Sequence, residues 1–234
     1  MDGMTNESSQ SFECKYCSKG FRKESTLAAH LCEQKRRWQQ EKETGVQLGL
    51  RAYLQFYETT QGSAKLKSYE DFISSPYYNA FVRYGRYLVS IRAINSGSFS
   101  SWLLKNNKKL DQWCKDSFYE EWLLEYLRKE AVQDALERGL KEMQDYAGNS
   151  DIADYTHYFL YGNSNRICHH VITGRISPWI IYNCDSGVGF LDNLNSEQVD
   201  LVMPYIDPDY WGNKFGNYVA DVEWCKHILK EAGL

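Results

Sequence analysis

Long apolar runs are missing from this chain: none approaches the roughly 18 residues that would cross a bilayer, so no membrane-spanning helix is expected. The opening stretch MDGMTNESSQ is acidic and polar and lacks the apolar centre of a secretory signal, which excludes that kind of leader and points to a cytoplasmic, reducing setting. Internal repeats and low-complexity tracts are also lacking, so a solenoid is not expected. GNSNR and SGVG have neither the lysine nor the strand-to-helix context of a phosphate loop. His170, Asp185, Asp207 and Asp209 are available for acid–base work. Acids beside Pro and Gly are usually turn formers, however, and Asp207-Pro208-Asp209 reads as a turn before a helix. No catalytic residue and no small-molecule substrate can be named, and a non-enzymatic role is the expectation.

What is present is a globular composition, 43% hydrophobic and 25% charged over 234 residues, with seven cysteines. In a reducing compartment these are poor disulfide candidates and read as metal ligands or core thiols. Three of them fall within one stretch of 19 residues. Charge is uneven too. Residues 14–37 hold seven cations (Lys15, Lys19, Arg22, Lys23, Lys35, Arg36, Arg37) against Glu24 and Glu33, a net +5, which leaves −9 on the remainder of a chain that totals −4. A basic head on an acidic body predicts that the head meets any polyanion.

The fold class expected is α+β: a small ββα finger, then a mostly helical body with a short β-hairpin near the C-terminus. The expected divisions are a disordered leader over 1–11, the finger over 12–37, a charged helical linker over 38–45, a helical domain over 46–148 and a mixed α/β part over 149–234, continuous with it. The linker has no apolar residue besides Trp38 and reads as a solvated helix or hinge. Val46, Leu50, Tyr53, Leu54 and Tyr57 recur at helical spacing. TQGSAK reads as a loop, and Ser68 with Asp71 has capping-box spacing. Pro76 precedes a further helix, with Phe81, Tyr84, Leu88 and Ile91 on one face. Ser117 with Glu120 repeats the box before the longest helical stripe, from Trp122 to Met143. RICHHVITGRISPWIIYNCDSGVGFL is rich in β-branched residues and predicts two or three short strands turning at TG and DSG. Segments 196–205 and 218–234 return to helix.

The finger is read from coincident requirements. Cys14 and Cys17 stand at C-x-x-C spacing, which suits a tight knuckle aiming two thiolates at one ion, and His30 follows after the gap that a hairpin return and the first helical turns require. Phe12, Phe21 and Leu27 supply a miniature core. A module this small cannot fold on its own apolar burial, so Zn2+ is expected to supply the missing stability. These residues, in the order F-x-C-x-x-C-x-x-x-F-x5-L-x-x-H, resemble the two-Cys/two-His zinc-finger family over about a tenth of the chain. The family's last ligand lies three to five residues beyond the first His; here the next candidate, Cys32, lies two positions on. Ligands at i and i+2 on an unbroken helix point roughly 200° apart. The expectation is therefore that the helix ends at His30 and the chain turns Cys32 back, giving the set Cys14, Cys17, His30, Cys32.

Docking like its DNA-reading relatives would aim Lys23, Ser25, Thr26 and Ala29 at base edges. Lys35, Arg36 and Arg37 would sit well for phosphate contacts, which are sequence-independent. One finger reads only about three base pairs, too few for genomic specificity. Cys168, His169, His170, Cys184, Cys225 and His227 match no ligand pattern and read as buried thiols and ordinary histidines. The tyrosines and arginines of SPYYNAFVRYGRYL read as a helix core rimmed by hydroxyls, with base stacking as the alternative.

Beyond the finger, AYLQFYE, YEDFISSPYYNAFVRYG, KLDQWC and GRISPWIIYNC followed by IDPDYWGNKF are similar to strings in zinc-finger proteins of marine tailed phages of the T-even-like group. That resemblance implies a phage protein of the host cytoplasm, with a role in DNA metabolism or transcription, and brings no catalytic residues. The leading expectation is a nucleic-acid-binding accessory protein, its finger on DNA and its acidic body on another protein. The alternatives are a finger that docks on a polymerase or virion component, and an enzyme with its site in 150–234.

Overall fold

The computed structural model describes residues 12–62, 67–152 and 154–234. The expected leader over 1–11 and the second half of the TQGSAK loop lie outside them, while Thr60 and Gln61 of that loop close α3. The chain forms two compact units, residues 1–114 and 115–234, each with its own core.

The first unit begins with β1 (Phe12–Glu13) and β2 (Gly20–Phe21), paired antiparallel so that Phe12 faces Phe21. Two short helices follow, α1 (Glu24–Ala29) and α2 (Glu33–Gln39). Then come α3 (Thr44–Gln61), α4 (Tyr69–Ser74), α5 (Tyr78–Ser90), α6 (Ser96–Lys105) and a 3-10 turn over Leu110–Gln112. The Ser68–Asp71 capping box opens α4 as its spacing predicts. Helices α3 and α5 approach closely because glycines line the seam: a Cβ on Gly49 would lie 2.6 Å from the Phe81 carbonyl oxygen. Their contact buries Val46, Tyr53, Phe81, Tyr84 and Leu88, against which Phe72, Phe99 and Trp113 pack. The rings meet edge to face, Tyr84 on Trp113 at 5.1 Å and Tyr53 on Phe81 at 5.5 Å.

The second unit is helical throughout its described residues. It comprises α7 (Asp116–Lys129), α8 (Val132–Ala147), a 3-10 turn (Tyr155–His157), α9 (Tyr158–Tyr161), α10 (Ser164–Ile172), α11 (Pro178–Ile181), α12 (Asp185–Asp192), α13 (Ser196–Ile206), α14 (Pro208–Asn217) and α15 (Val219–Glu231). Its core joins Leu136, Met143, Tyr158, Ile167, Val171, Trp179, Ile180, Val202, Trp211, Cys225 and Leu229.

The α+β expectation is overturned. Among the described residues the β1–β2 pair, two residues a side, is the whole of the β structure. The β-branched run expected to form strands is instead α10, α11 and α12. Asn163 caps the first, Ser177 with Pro178 behind it starts the second, and Ile176, Ile180 and Ile181 are wholly buried. The finger is likewise not a ββα unit closed by one helix, because two short helices meet at its ligands. Ser117 does not cap: α7 begins at Asp116, and Ser117 lies inside it. The stripe expected to run unbroken to Met143 is interrupted at Glu130 and Ala131, which take extended backbone between α7 and α8. Among the described residues, no helix is long and apolar enough to cross a membrane.

Candidate metal centre

The Cys14–Cys17 knuckle is set by the backbone. The Cys14 amide donates to the Lys19 carbonyl at 3.0 Å, the Ser18 amide returns to the Cys14 carbonyl at 2.8 Å, and Ser18 takes a left-handed φ of 55° to close the turn. At the far side α1 stops at Ala29. His30 leaves the helix with φ −69° and ψ 120°, its amide still bonded to the Leu27 carbonyl at 3.1 Å. The chain then reverses. Cys32 becomes the N-cap of α2, its Sγ accepting the Lys35 amide at 3.4 Å.

These turns bring one ligand atom from each of Cys14, Cys17, His30 and Cys32 within 4.8 Å of one another. The spacings can be tested against a metal. With Zn–S near 2.3 Å and Zn–N near 2.0–2.1 Å, tetrahedral geometry requires S···S edges of about 3.8 Å and S···N edges of about 3.5 Å. The Cys14 and Cys32 sulfurs are 3.9 Å apart, and the Cys17 sulfur is 3.3 Å from His30 Nε2. The donor set fits one tetrahedral ion.

The two knuckle thiols are shifted in opposite directions by their surroundings. Hydrogen bonds from the Tyr16 amide, the largest influence, from the Cys17 amide and from the Cys17 and Cys32 thiols hold the Cys14 thiol below its ordinary value against desolvation. The Lys19 amide pulls the Cys17 thiol down, but desolvation and the nearby Cys32 and Cys14 sulfurs outweigh it and leave Cys17 raised. Three adjacent thiols resist joint ionisation unless a cation stands among them. The His30 ring rests on Phe21 at 4.7 Å, and Lys35 Nζ donates to the His30 carbonyl at 3.1 Å. Phe12, Phe21 and Leu27 are only half-buried, and neither α1 nor α2 contributes a buried residue. A metal held by the four clustered side chains would offset so little apolar burial.

Of the residues expected to touch nucleic acid, Lys23, Ser25, Thr26 and Ala29 are exposed on or beside α1, and Arg36 is exposed on α2. Lys35 is half-buried over the ligand turn. Arg37 is committed elsewhere. Its side chain is 12% exposed, donates to the Ile73 carbonyl, pairs with Glu33 and lies 4.3 Å from the centroid of the Tyr78 ring. Trp38, expected to sit in a solvated linker, packs edge-on against Tyr69 at 5.2 Å and lies 6.3 Å from Tyr16 in the knuckle. Sequence reasoning missed this second role of α2; a lone tryptophan in a charged run was the available signal.

Among the described residues of 150–234, no comparable cluster gathers. His170 is wholly buried in the core of the second unit, its Nδ1 2.7 Å from the Tyr158 hydroxyl and its Nε2 3.5 Å from Glu142. His227 is exposed beside Glu231, and His169 is exposed on α10. The Cys184 and Cys225 thiols lie 3.3 Å from the Ile180 and Trp179 carbonyls. Asp207 caps α14. Asp185 lines an open cavity of about 620 Å3 with Thr156, His157, Ser186 and Phe190. Comparison with protein families, with curated proteins and with solved structures finds no match to this chain.

Proposed function

We propose that the chain is a zinc-binding accessory protein whose finger contacts nucleic acid, DNA in the first instance, while the acidic body engages another protein. Zinc is favoured by the sulfur-rich donor set at tetrahedral spacing. The observation that carries the nucleic-acid reading is the outward face of α1: the helix buries no side chain, and it presents Ser25 and Thr26 behind Lys23. Lys15, Lys19, Arg22 and Arg36 are exposed on the same small module. Lys23 is suited to guanine and Thr26 to a thymine methyl, and the remaining cations to phosphates. A role in phage DNA metabolism or transcription, in the host cytoplasm, rests on the sequence resemblance alone.

Binding of the zinc-loaded protein to short duplex and single-stranded DNA, titrated against salt, tests this reading, with Cys14→Ser/Cys17→Ser as control. Affinity that falls steeply with salt and disappears in the control is expected. No affinity at low salt would sink it. A second reading, docking on a protein, is favoured by a groove of about 370 Å3 lined by Tyr16, Leu27 and Ala28 together with Cys14, His30, Glu13, Lys15 and Lys35. It predicts a co-purifying protein that is lost on replacing Leu27.

A further inference from the structure

Helix α2 has seven residues and none of them is buried. Isolated helices shorter than about 12–15 residues are marginal in water, so something outside α2 must hold it. Each end is held by a different part of the molecule. At the first end, Cys32 is both a member of the ligand cluster and the N-cap that accepts the Lys35 amide. At the last, Arg37 and Trp38 lie against α4 and the start of α5. The Arg37 guanidinium meets the Ile73 carbonyl and the Tyr78 ring, the Tyr69 hydroxyl donates to the Arg37 carbonyl at 2.7 Å, and the Trp38 ring stands on Tyr69. Tyr69 in turn touches Phe72, which is wholly buried and packs on Tyr53 and Tyr78 in the core of the unit. Trp38 also faces Tyr16, between two of the cysteines, so a second path joins the knuckle to the same tyrosine.

We propose that the metal centre is a latch: an ion on Cys14, Cys17, His30 and Cys32 orders α2, and ordered α2 clamps α4 and α5 through Arg37 and Trp38. Two events that stabilise the same short helix from opposite ends are thermodynamically coupled, and the coupling is reciprocal. Metal binding tightens α4, and the docking of α2 raises metal affinity by the same factor. The latch depends on metal binding at this site but not on any contact with nucleic acid. Arg37 and Trp38 are positioning residues, since neither reaches the ligand atoms in the contacts described above.

Hydrogen exchange on the full-length protein tests the latch, zinc-loaded against chelated, with native mass spectrometry reporting zinc content. Chelation is expected to speed exchange of the α4 amides at least about five-fold, the low end of ordinary coupling, while the α8 amides of the second unit stay unchanged. Trp38→Ala should speed α4 exchange with zinc still bound and weaken zinc affinity by a similar factor. Arg37→Lys, which keeps the charge and loses the planar fork, should do both more mildly. Unchanged α4 exchange on chelation would overturn the proposal. So would a zinc affinity within two-fold of wild type in Trp38→Ala, or acceleration spread equally over α8, which would make chelation a global unfolding. A protein that takes up no zinc would overturn the metal reading and the latch together, and the mass measurement separates that failure from the others.

Discussion

At the scale of single residues, the ligand quartet was legible because a metal tolerates few spacings: two thiolates on a knuckle, a histidine at the end of a helix and a cysteine after the reversal can be read off the chain. Arg36 and Arg37 were not separable in that way. Both read as cations on a solvated helix face, and only the fold shows that one of them meets a carbonyl 36 positions further on. The difference yields a paired prediction. Arg37→Ala removes a partly buried, charge-assisted bond and a cation–π contact, and should cost the first unit about 2–3 kcal/mol. Arg36→Ala, at an exposed position, should change stability by less than about 0.5 kcal/mol. If the nucleic-acid reading holds, Arg36→Ala also weakens DNA binding evenly across sequences and lowers the salt slope by about 1. Denaturant midpoints for both variants, with DNA titrations for Arg36→Ala, check the pair; equal stability losses would remove the assignment of Arg37 to the core side of α2.

Among the elements, those with a helical apolar period were readable, and the short ones, α10 to α12, were not, although Asn163 and Ser177 cap two of them. The Ser68–Asp71 box announced α4, because a side chain and its amide partner three residues on leave a local signature. Val171, Ile176, Ile180 and Ile181 read as strand because short apolar runs that are buried on all sides carry neither the period of a helix nor that of a strand. Which one forms is decided by the packing of α8 and α15 on α11 and by Trp179 meeting Trp211 and Phe215 of α14, not by the local string. The glycine seam is another tertiary effect, and it can be tested. A Cβ at Gly85 would collide with the Gly45 carbonyl oxygen and sit 2.5 Å from the Gly49 amide nitrogen, all backbone, so Gly85→Ala should force α3 and α5 apart at a cost of about 3 kcal/mol. In the second unit, Glu130 follows α7, 8% exposed and facing Arg138 and Ser177. Burial pushes its carboxyl above the ordinary range, although Arg138 and Ser177 pull the other way. A raised carboxyl favours the folded state most where it stays protonated, below its unfolded value of about 4.3, and that advantage is lost as pH rises through the folded value. Wild-type stability measured relative to Glu130→Gln should therefore fall from pH 4 towards neutrality; a flat or rising difference would contradict the burial argument.

For the whole molecule the decisive feature is the separation of charge, +5 on residues 14–37 against −9 elsewhere, with a sequence pI near 5.8. The two parts respond to acid in opposite senses. If the nucleic-acid reading holds, then as pH falls from 8 towards the pI the net negative charge of the chain declines, the general repulsion of a polyanion weakens and affinity for DNA should rise. Metal binding responds the other way. Each thiol must give up its proton to act as a ligand, so acid competes directly with the ion. The three thiols stand together and compete for protons as a set, so acid displaces a bound ion cooperatively rather than one ligand at a time. On the zinc and nucleic-acid readings, protonation of the ligand thiols would release the ion, loosen the module that carries Lys23 and Arg36, and abolish binding. DNA affinity at fixed ionic strength should therefore pass through a maximum, and its acid limb should move to lower pH when free zinc is raised ten-fold, because each ligand proton displaced is linked to the metal concentration. The Cys14→Ser/Cys17→Ser protein should show no such limb. Affinity that climbs without a maximum to pH 5, or a limb indifferent to zinc, would mean that the body's charge alone governs binding and that the finger takes no part in it.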